Sequence, residues 1–303
     1  MPTFRLPIDS DIYIDRVFTR CRDLIGYQLW AGLQRSRLDS WIRNFHSSEE
    51  RYFAARVLDA LIYRSEDQTI ALLRQLFSRV IPDLARACCL PSEIQSIYQS
   101  LRQTRVNPRV RIVPVLPPGS PAIKSGSIIG RHLKRALGID ERWFLESQQV
   151  EAELPHVDVF VFVDDFLGTG TQFSDFLQQT GLSTHVTDSC FVYASLAGHK
   201  HGIDLLRTDF PGLHIATVET LDNGHALFHA EGGSFPDGVN SAETARDFYY
   251  NLISDRHINI TGPDRRGFGH FEIVYAFQHA VPDNSLPILW WAESDRWRPL
   301  FDR

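Results

Sequence analysis

The segment from residue 159 to residue 179 constrains the fold of this 303-residue chain more than any other. It opens with five consecutive apolar residues, Val159 to Val163, and the acids Asp164 and Asp165 follow directly. An apolar run of this length is typical of a strand that is buried on both faces, as in a parallel sheet. A loop of small residues comes next, and residues 172–179 have the apolar spacing of a helix. The segment therefore predicts a strand, a short loop and a helix in succession.

The loop Gly168-Thr169-Gly170-Thr171 has the composition of an anion site. Glycine lets the backbone turn tightly, so that successive amide groups can point into one concavity. The threonine hydroxyls are further donors, and the N-terminus of the following helix adds a partial positive charge. Because ligands of open α/β sheets bind beyond the carboxyl ends of the strands, this loop is the predicted site for one phosphate group.

The two acids ahead of the loop have the complementary chemistry. Carboxylates accept hydrogen bonds from vicinal hydroxyl groups, and they hold a hydrated Mg²⁺ ion through its water ligands. A ligand that carries a diol close to one phosphate matches a ribose 5-phosphate. The residues of the predicted ribose phosphate site are Asp164, Asp165, Phe166, Leu167, Gly168, Thr169, Gly170 and Thr171.

Three other interpretations of this segment were weighed. The acids could simply end a strand, with the glycines forming a surface turn, since loops after strands are polar by default. A receiver-type acid pocket also places aspartates at strand ends, but it does not need the Gly-Thr-Gly-Thr sequence that follows here. A nucleotide-binding P-loop is disfavoured because the pattern G-x-x-x-x-G-K-[ST] does not occur in the sequence.

The pattern of apolar residues predicts two structural zones. Residues 11–105 contain few glycines or prolines, and apolar residues such as Phe53, Val57 and Leu61 recur at helical spacing. From Val110 onward, strand-like and helix-like segments alternate, which favours a doubly wound α/β fold with a mostly parallel sheet. We therefore expect an α-helical N-terminal region over residues 1–106. An α/β domain with a C-terminal extension is expected over residues 107–303.

Composition excludes several classes of protein. The net charge of −6 gives no global basic excess of the kind that predicts tight nucleic-acid binding. The four cysteines form no C-x-x-C pair, so neither a disulfide framework nor a zinc site is expected, and reduced cytoplasmic thiols are the favoured interpretation. The acidic N-terminus argues against a signal peptide, and no apolar run is long enough to predict a membrane span.

Two further groups of side chains are candidates for ligand binding. His225 and His229 lie four residues apart, but no acid or cysteine is spaced to complete a metal site with them, so no metal-ligating residue is assigned. The basic loop from Arg265 to Gly269 could face ligand phosphates or a nucleic acid, and a plain surface turn is an equally good interpretation.

Beyond this residue chemistry, the chain resembles a known family. The order of strand, Asp-Asp pair, small-residue loop and helix is similar to the phosphoribosyl-pyrophosphate signature of type I phosphoribosyltransferases. Three longer stretches resemble a phosphoribosyltransferase-like family of bacterial conflict and anti-phage systems, some of them linked to retrons. These stretches are Trp41 to Ser65, Val163 to Gln172, and a third made of Gly267 to Gly269, Pro282 to Trp290 and Trp297 to Phe301.

The resemblance implies a ligand and a reaction. It implies a type I phosphoribosyltransferase fold that binds phosphoribosyl pyrophosphate or a nucleotide, with Mg²⁺ bound through the ligand. Asp164 and Asp165 would be the catalytic acids of a glycosyltransferase that acts at the anomeric carbon of ribose. The loop after the first strand would bind the pyrophosphate, with Lys124 neutralising it and the Ser125 and Gly126 amides donating to it.

The resemblance also leaves a non-catalytic role open. Folds of this kind also serve as regulators, which bind the ligand without turnover. Such enzymes often carry a mobile catalytic loop in the region of Ile139 to Pro155, and here that region contains no lysine and a single arginine, Arg142. The alternative is therefore a nucleotide sensor or effector that uses the same pocket and acts on a protein or nucleic-acid partner of a defence system.

Overall fold

The structure, a computed structural model, describes residues 3–103, 106–116, 125–231, 233–235, 238–260, 262–292 and 296–302, and only the backbone of residues 125–127 and 263. The strands are β1 (Ile62–Arg64), β2 (Val110–Pro114), β3 (Val159–Leu167), β4 (Cys190–His199), β5 (His214–Leu221) and β6 (Tyr275–Phe277). The helices are α1 (Ser10–Gly26), α2 (Arg35–Ile42), α3 (Ser48–Asp59), α4 (Glu66–Gln75), α5 (Ile81–Ala87), α6 (Ser92–Gln95), α7 (Ile97–Leu101), α8 (Ser125–Ala136), α9 (Val150–Glu153), α10 (Thr171–Gln179), α11 (Lys200–Asp209) and α12 (Ala242–Asp255).

The chain forms two compact units. The first, here called the sheet unit, is Asp67–Leu221, and the second, here called the terminal unit, combines Met1–Glu66 with Asp222–Arg303. This division differs from the boundary expected at residue 106. The expectation assumed that each unit is one continuous stretch, whereas the last third of the chain shares a core with the first 66 residues.

The sheet unit is built on parallel strands. In its described residues, four strands pair in the order β2-β3-β4-β5, and each neighbouring pair is parallel. Helices α8, α10 and α11 connect successive strands, as parallel pairing requires. The predicted α/β fold with a mostly parallel sheet is therefore confirmed.

The central strand β3 carries much of the core of the sheet unit. All of its residues are buried except Phe166, which agrees with the interpretation of its apolar run as a strand covered on both faces. The ring centroids of Phe162 lie 5.5 Å from Phe173 and 5.8 Å from Phe176, both on α10. These edge-to-face contacts fix α10 against the strand that precedes it.

Helices that had been assigned to the N-terminal region belong to the sheet unit instead. Helix α4 passes through a π-helical turn, Leu76–Val80, into α5, and this turn packs against β4 and β5. Leu76 and Phe77 of the turn are fully buried. The helical character predicted here was correct, but local periodicity does not say which partner a helix packs against.

The terminal unit has a small parallel sheet of its own. Strand β1 pairs with β6, with Ile62 opposite Tyr275. The helix predicted around Phe53 begins after Ser47, whose hydroxyl accepts the amide of Glu50, as expected for an N-cap. That helix ends at Asp59, before Leu61, which had been expected at helical spacing. The strand β1 begins at Ile62. In the part of the chain that the structure describes, no helix combines the length and apolar character needed to span a membrane.

Asn44 joins distant parts of the terminal unit. Its amide Nδ2 donates to the carbonyl of Arg298 at 2.9 Å, and its Oδ1 accepts the Arg298 amide at 3.0 Å. The Asn44 residue is buried. The side chain therefore hydrogen-bonds both backbone groups of Arg298, as a neighbouring strand would, and it links residues that are 254 positions apart in the sequence.

We expect Asn44→Ala to lower the free energy of unfolding by about 2–4 kcal/mol, because it leaves two backbone groups without their partner. Urea denaturation measures this change directly. Asn223→Ala, which alters an exposed asparagine of the same unit, is the matched control and should change stability by less than about 0.5 kcal/mol. Equal stability of the two variants would contradict the assigned role of Asn44.

Candidate functional site

The predicted site lies at the carboxyl end of β3. The strand extends past its apolar run through Leu167, so that the two acids lie within it rather than after it. Asp164 pairs with Ser195 of β4, and Phe166 pairs with Ala197. The loop then turns over three residues, and α10 begins at Thr171.

The loop has the geometry of a helix N-terminus with clustered hydroxyl groups. Gly170 precedes the helix with a φ of 86°, a left-handed conformation that favours glycine. The hydroxyl of Thr169 donates to that of Thr171 at 3.0 Å and accepts the Thr171 amide at 3.4 Å. Both hydroxyl groups thus lie beside the first turn of α10, where the helix dipole favours an anion.

A close approach between two backbones supports this loop from α11. A Cβ atom at Gly202 would lie 2.1 Å from the carbonyl oxygen of Gly168 and 2.9 Å from the amide nitrogen of Gly170. Only glycine lets the helix come this near to the loop. Sequence analysis missed Gly202, because nothing local in a helix start reveals which distant loop it touches.

Asp164 is held in the interior by two donors. The carboxyl group is buried, and its Oδ1 accepts the backbone amide of Asp165 at 2.9 Å. Its Oδ2 accepts the hydroxyl of Tyr193 on β4 at 3.1 Å. Burial raises the pKa of Asp164 well above its ordinary value, and the neighbouring charge of Asp165 raises it further.

Asp165 completes a pair of buried acids. Its residue is only 7% exposed, and its backbone amide donates to Asp164 Oδ1. Two buried carboxyl groups on adjacent residues disfavour simultaneous ionisation, so the charge of Asp165 adds to the effect of burial in raising the pKa of Asp164. The sequence predicts that both acids face a ligand. In the structure, the side chain of Asp164 points into the core and is held there by its hydrogen bonds.

Tyr193 is a second residue at this site that could not be found from the sequence. It is 1% exposed, and its ring centroid lies 4.3 Å from that of Phe173 on α10. Burial raises the pKa of Tyr193 well above its ordinary value, and the charge of Asp164 adds to this, so the phenol stays protonated and donates. Within the strand pattern of β4, Tyr193 is one apolar position among several, and only the pairing of β3 with β4 brings it to Asp164.

The remaining predicted residues differ in what they can contribute. The side chain of Leu167 lies in the core, so only its backbone is available to a ligand. Phe166 is half-buried. Lys124 lies outside the described residues, and the backbones of Ser125 and Gly126 form the start of α8.

The other side chains considered in the sequence have structural partners. His225 contacts the carboxylate of Asp222 at 2.9 Å within a short turn. Arg265 donates to the carbonyl of Ile260, and Arg266 forms an ion pair with the buried Glu272. Among the residues that the structure describes, no group of three or more histidine, cysteine or acidic side chains is placed to hold a metal ion.

Comparison with known families matches nearly the whole chain. A family model described as PRTase-CE covers residues 38–303. The chain belongs to the PRTase-CE family. No curated protein matched the chain. The family match supports the phosphoribosyltransferase-like character that was predicted from three sequence stretches, and it includes the acid pair and loop of this PRTase-CE protein.

We expect Gly202→Ala to lower the free energy of unfolding by about 1–3 kcal/mol, because the added methyl group overlaps the Gly168 carbonyl and must push α11 or the loop aside. Chemical denaturation measures the loss. The matched control is Gly130→Ala in α8, where the added Cβ would meet the side chain of Pro114, at 3.3 Å from its Cγ and 3.9 Å from its Cβ. A Gly202→Ala protein as stable as this control would show that the approach is not as close as described.

Asp164 also makes the stability of the protein depend on pH. A carboxyl group with a raised folded-state pKa stabilises the fold fully below about pH 4, and this contribution is lost as the pH rises through the folded-state pKa. Because Asp164→Asn cannot ionise, we expect the variant to gain stability relative to the parent between about pH 5 and pH 8, by up to about 1.4 kcal/mol per pH unit. Thermal unfolding across this range measures the difference.

The control for this pH series is Asp175→Asn, which changes an exposed acid of α10. Its stability relative to the parent should vary little with pH. A constant difference between Asp164→Asn and the parent at every pH would show that Asp164 is ionised in the folded protein without penalty.

Proposed function

We propose that this PRTase-CE protein binds phosphoribosyl pyrophosphate or a nucleotide at the carboxyl end of β3 and acts at the anomeric carbon of the ribose. One observation carries the proposal: the buried acids Asp164 and Asp165 lie at the end of β3, just ahead of a glycine–threonine loop that opens a helix. The family match supports a phosphoribosyltransferase-like function for a chain with this arrangement.

The 5-phosphate of the ligand is assigned to the loop. The amides that begin α10 and the adjacent hydroxyls of Thr169 and Thr171 are donors on one side of the helix N-terminus. The hydroxyl of Thr169 donates to that of Thr171. A phosphate oxygen would accept from both, and this exchange needs only rotation about the threonine side chains.

The two acids, Asp164 and Asp165, are assigned different roles. Asp165 is assigned the ribose hydroxyls, and its carboxylate would stabilise the positive charge that develops on the sugar as the anomeric bond breaks. Asp164 is assigned a positioning role, since its own oxygens are committed to Tyr193 and to the Asp165 backbone. Catalysis of this kind rests on orientation and electrostatics rather than on a covalent intermediate.

The donor set fits Mg²⁺ bound through the ligand. Carboxylate oxygens are hard ligands of the kind that Mg²⁺ prefers, usually through retained waters and the phosphates of a substrate. When bound, the ion would neutralise the pyrophosphate. The same task is proposed for Lys124 and for the amides of Ser125 and Gly126, at the start of α8.

A sensor that binds without turnover is the second candidate, and the segment before β3 favours it. Arg142 pairs with Asp140, and the neighbouring Trp143 is fully buried within a short 3-10 turn. The region from Ile139 to Pro155 contains no lysine and no other arginine, so it offers few basic groups to a ligand. A protein or nucleic-acid partner, a bacterial defence role and a cytoplasmic location belong to the proposal as what the family resemblance implies.

Titration with phosphoribosyl pyrophosphate, with and without Mg²⁺, tests the proposed site. Asp165→Asn should weaken binding at least tenfold, which corresponds to the loss of one charged hydrogen bond of about 1.5–3 kcal/mol. Asp175→Asn, which removes an exposed acid from α10, should bind as the parent does. An unchanged affinity in Asp165→Asn would remove the acid pair from the site.

Assays for released pyrophosphate with a panel of bases then separate the two candidates. Turnover with any base would establish the transferase. Tight binding without turnover across the panel would favour the sensor.

A further inference from the structure

The terminal unit contains a cavity beside the end of its strand β6. Its volume is about 370 Å³. It is lined by Tyr63 in the middle of β1, by the last residue of β6 and the two residues that follow it, by residues 32–34 with Arg37 of α2, and by residues 300–302. The carboxyl end of a parallel strand is where ligands bind in α/β proteins. The volume lies within the range of pockets for small molecules, towards its lower end.

One guanidinium group dominates the charge of this cavity. Arg37 of α2 lines it and forms an ion pair with Asp302, which lies in the C-terminal segment. The side chain of Asp302 is 90% exposed, so the pair is open to water and the carboxylate can leave at little cost. An incoming phosphate would replace the carboxylate and could bind both guanidinium nitrogens.

The opposite wall is aromatic. The rings of Phe277 and His279 are stacked with their centroids 5.1 Å apart, and those of Tyr63 and Phe301 lie 5.6 Å apart and only 8° from parallel. All four residues line the cavity. Flat surfaces of this kind favour a planar ring in the ligand.

A glutamine of the cavity lining has a fixed side-chain orientation. The Oε1 of Gln278 accepts the amide of Glu66 at 2.9 Å, which fixes the orientation of the side-chain amide. Gly32, with a φ of 85°, leaves room for it, since a Cβ there would lie 2.5 Å from the Gln278 side chain. With the oxygen committed, the Nε2 group is left to donate to the acceptor edge of a ligand.

We propose that this cavity binds a 5′-nucleoside monophosphate, with the phosphate on Arg37 in place of Asp302 and the base against the aromatic wall. A free phosphate would leave the rings unused, and a nucleoside would leave the guanidinium unused. The site is separate from the acid pair of the sheet unit and does not depend on the function proposed there.

Calorimetric titration of the full chain with AMP, GMP, CMP and UMP tests the proposal, with adenosine and inorganic phosphate as partial probes. At least one monophosphate should bind with a Kd of about 1 mM or tighter, and both partial probes should bind at least about tenfold more weakly. Arg37→Gln should weaken the monophosphate at least about tenfold. Asp302→Asn should tighten it about threefold or more, because it removes the competing carboxylate.

Arg37→Gln is expected to weaken monophosphate binding, and Asp302→Asn is expected to strengthen it. Simple loss of structure would weaken binding in both variants. Asp302→Asn changes an exposed side chain, so the test stands even if Arg37→Gln unfolds. Arg37→Lys, which keeps the charge, should retain part of the affinity. Because a nucleotide is also proposed to bind at β3, the Arg37 and Asp302 variants are also compared in the Asp165→Asn background, where the remaining monophosphate binding should still depend on Arg37. Arg37→Gln should leave phosphoribosyl-pyrophosphate binding unchanged.

Three results would overturn the inference. The first is that none of the four monophosphates binds to the parent or to Asp302→Asn. The second is that Asp302→Asn weakens binding, which would make its carboxylate a ligand contact rather than a competitor. The third is that Asp165→Asn abolishes binding, which would place the nucleotide at β3 instead.

Discussion

The two buried acids at the end of β3 are the constraint around which the sheet unit is arranged. Two adjacent carboxyl groups inside a protein interior repel each other unless one is protonated or donors surround them. Here the Tyr193 hydroxyl and the Asp165 amide supply such donors to Asp164. Burying the pair therefore costs free energy. The pair lies at the position to which the family resemblance assigns the catalytic acids, and costly buried acids of this kind are expected at a functional site.

The surroundings of the pair couple it to the loop. Tyr193 contacts Asp164 through its hydroxyl and Phe173 of α10 through its ring, so one side chain touches both the acid and the helix that opens at the anion loop. From the other direction, Gly202 of α11 brings a second helix against the loop backbone. The proposed sugar and phosphate subsites are thus held by neighbouring elements of one sheet, and this fixes the distance between them.

The terminal unit is also built around parallel strands, but its sheet is much smaller. Its strands β1 and β6 are only three residues long and come from opposite ends of the chain. Their pairing depends on contacts such as those of Asn44 with Arg298, because so short a sheet contributes little by itself. The cavity around Arg37 lies in this unit, beside the end of β6.

The sequence alone determined what depends on neighbours in the chain. The apolar run of β3, the turn chemistry of its loop and the helix around Phe53 were predicted correctly, because strand and helix periodicity and glycine conformations act over a few residues. Only the tertiary structure decided which distant residues meet. It placed Tyr193 on Asp164 and joined Met1–Glu66 to Asp222–Arg303 in one unit. These outcomes depend on which surfaces bury each other, and that choice is made by the whole chain rather than by any local pattern.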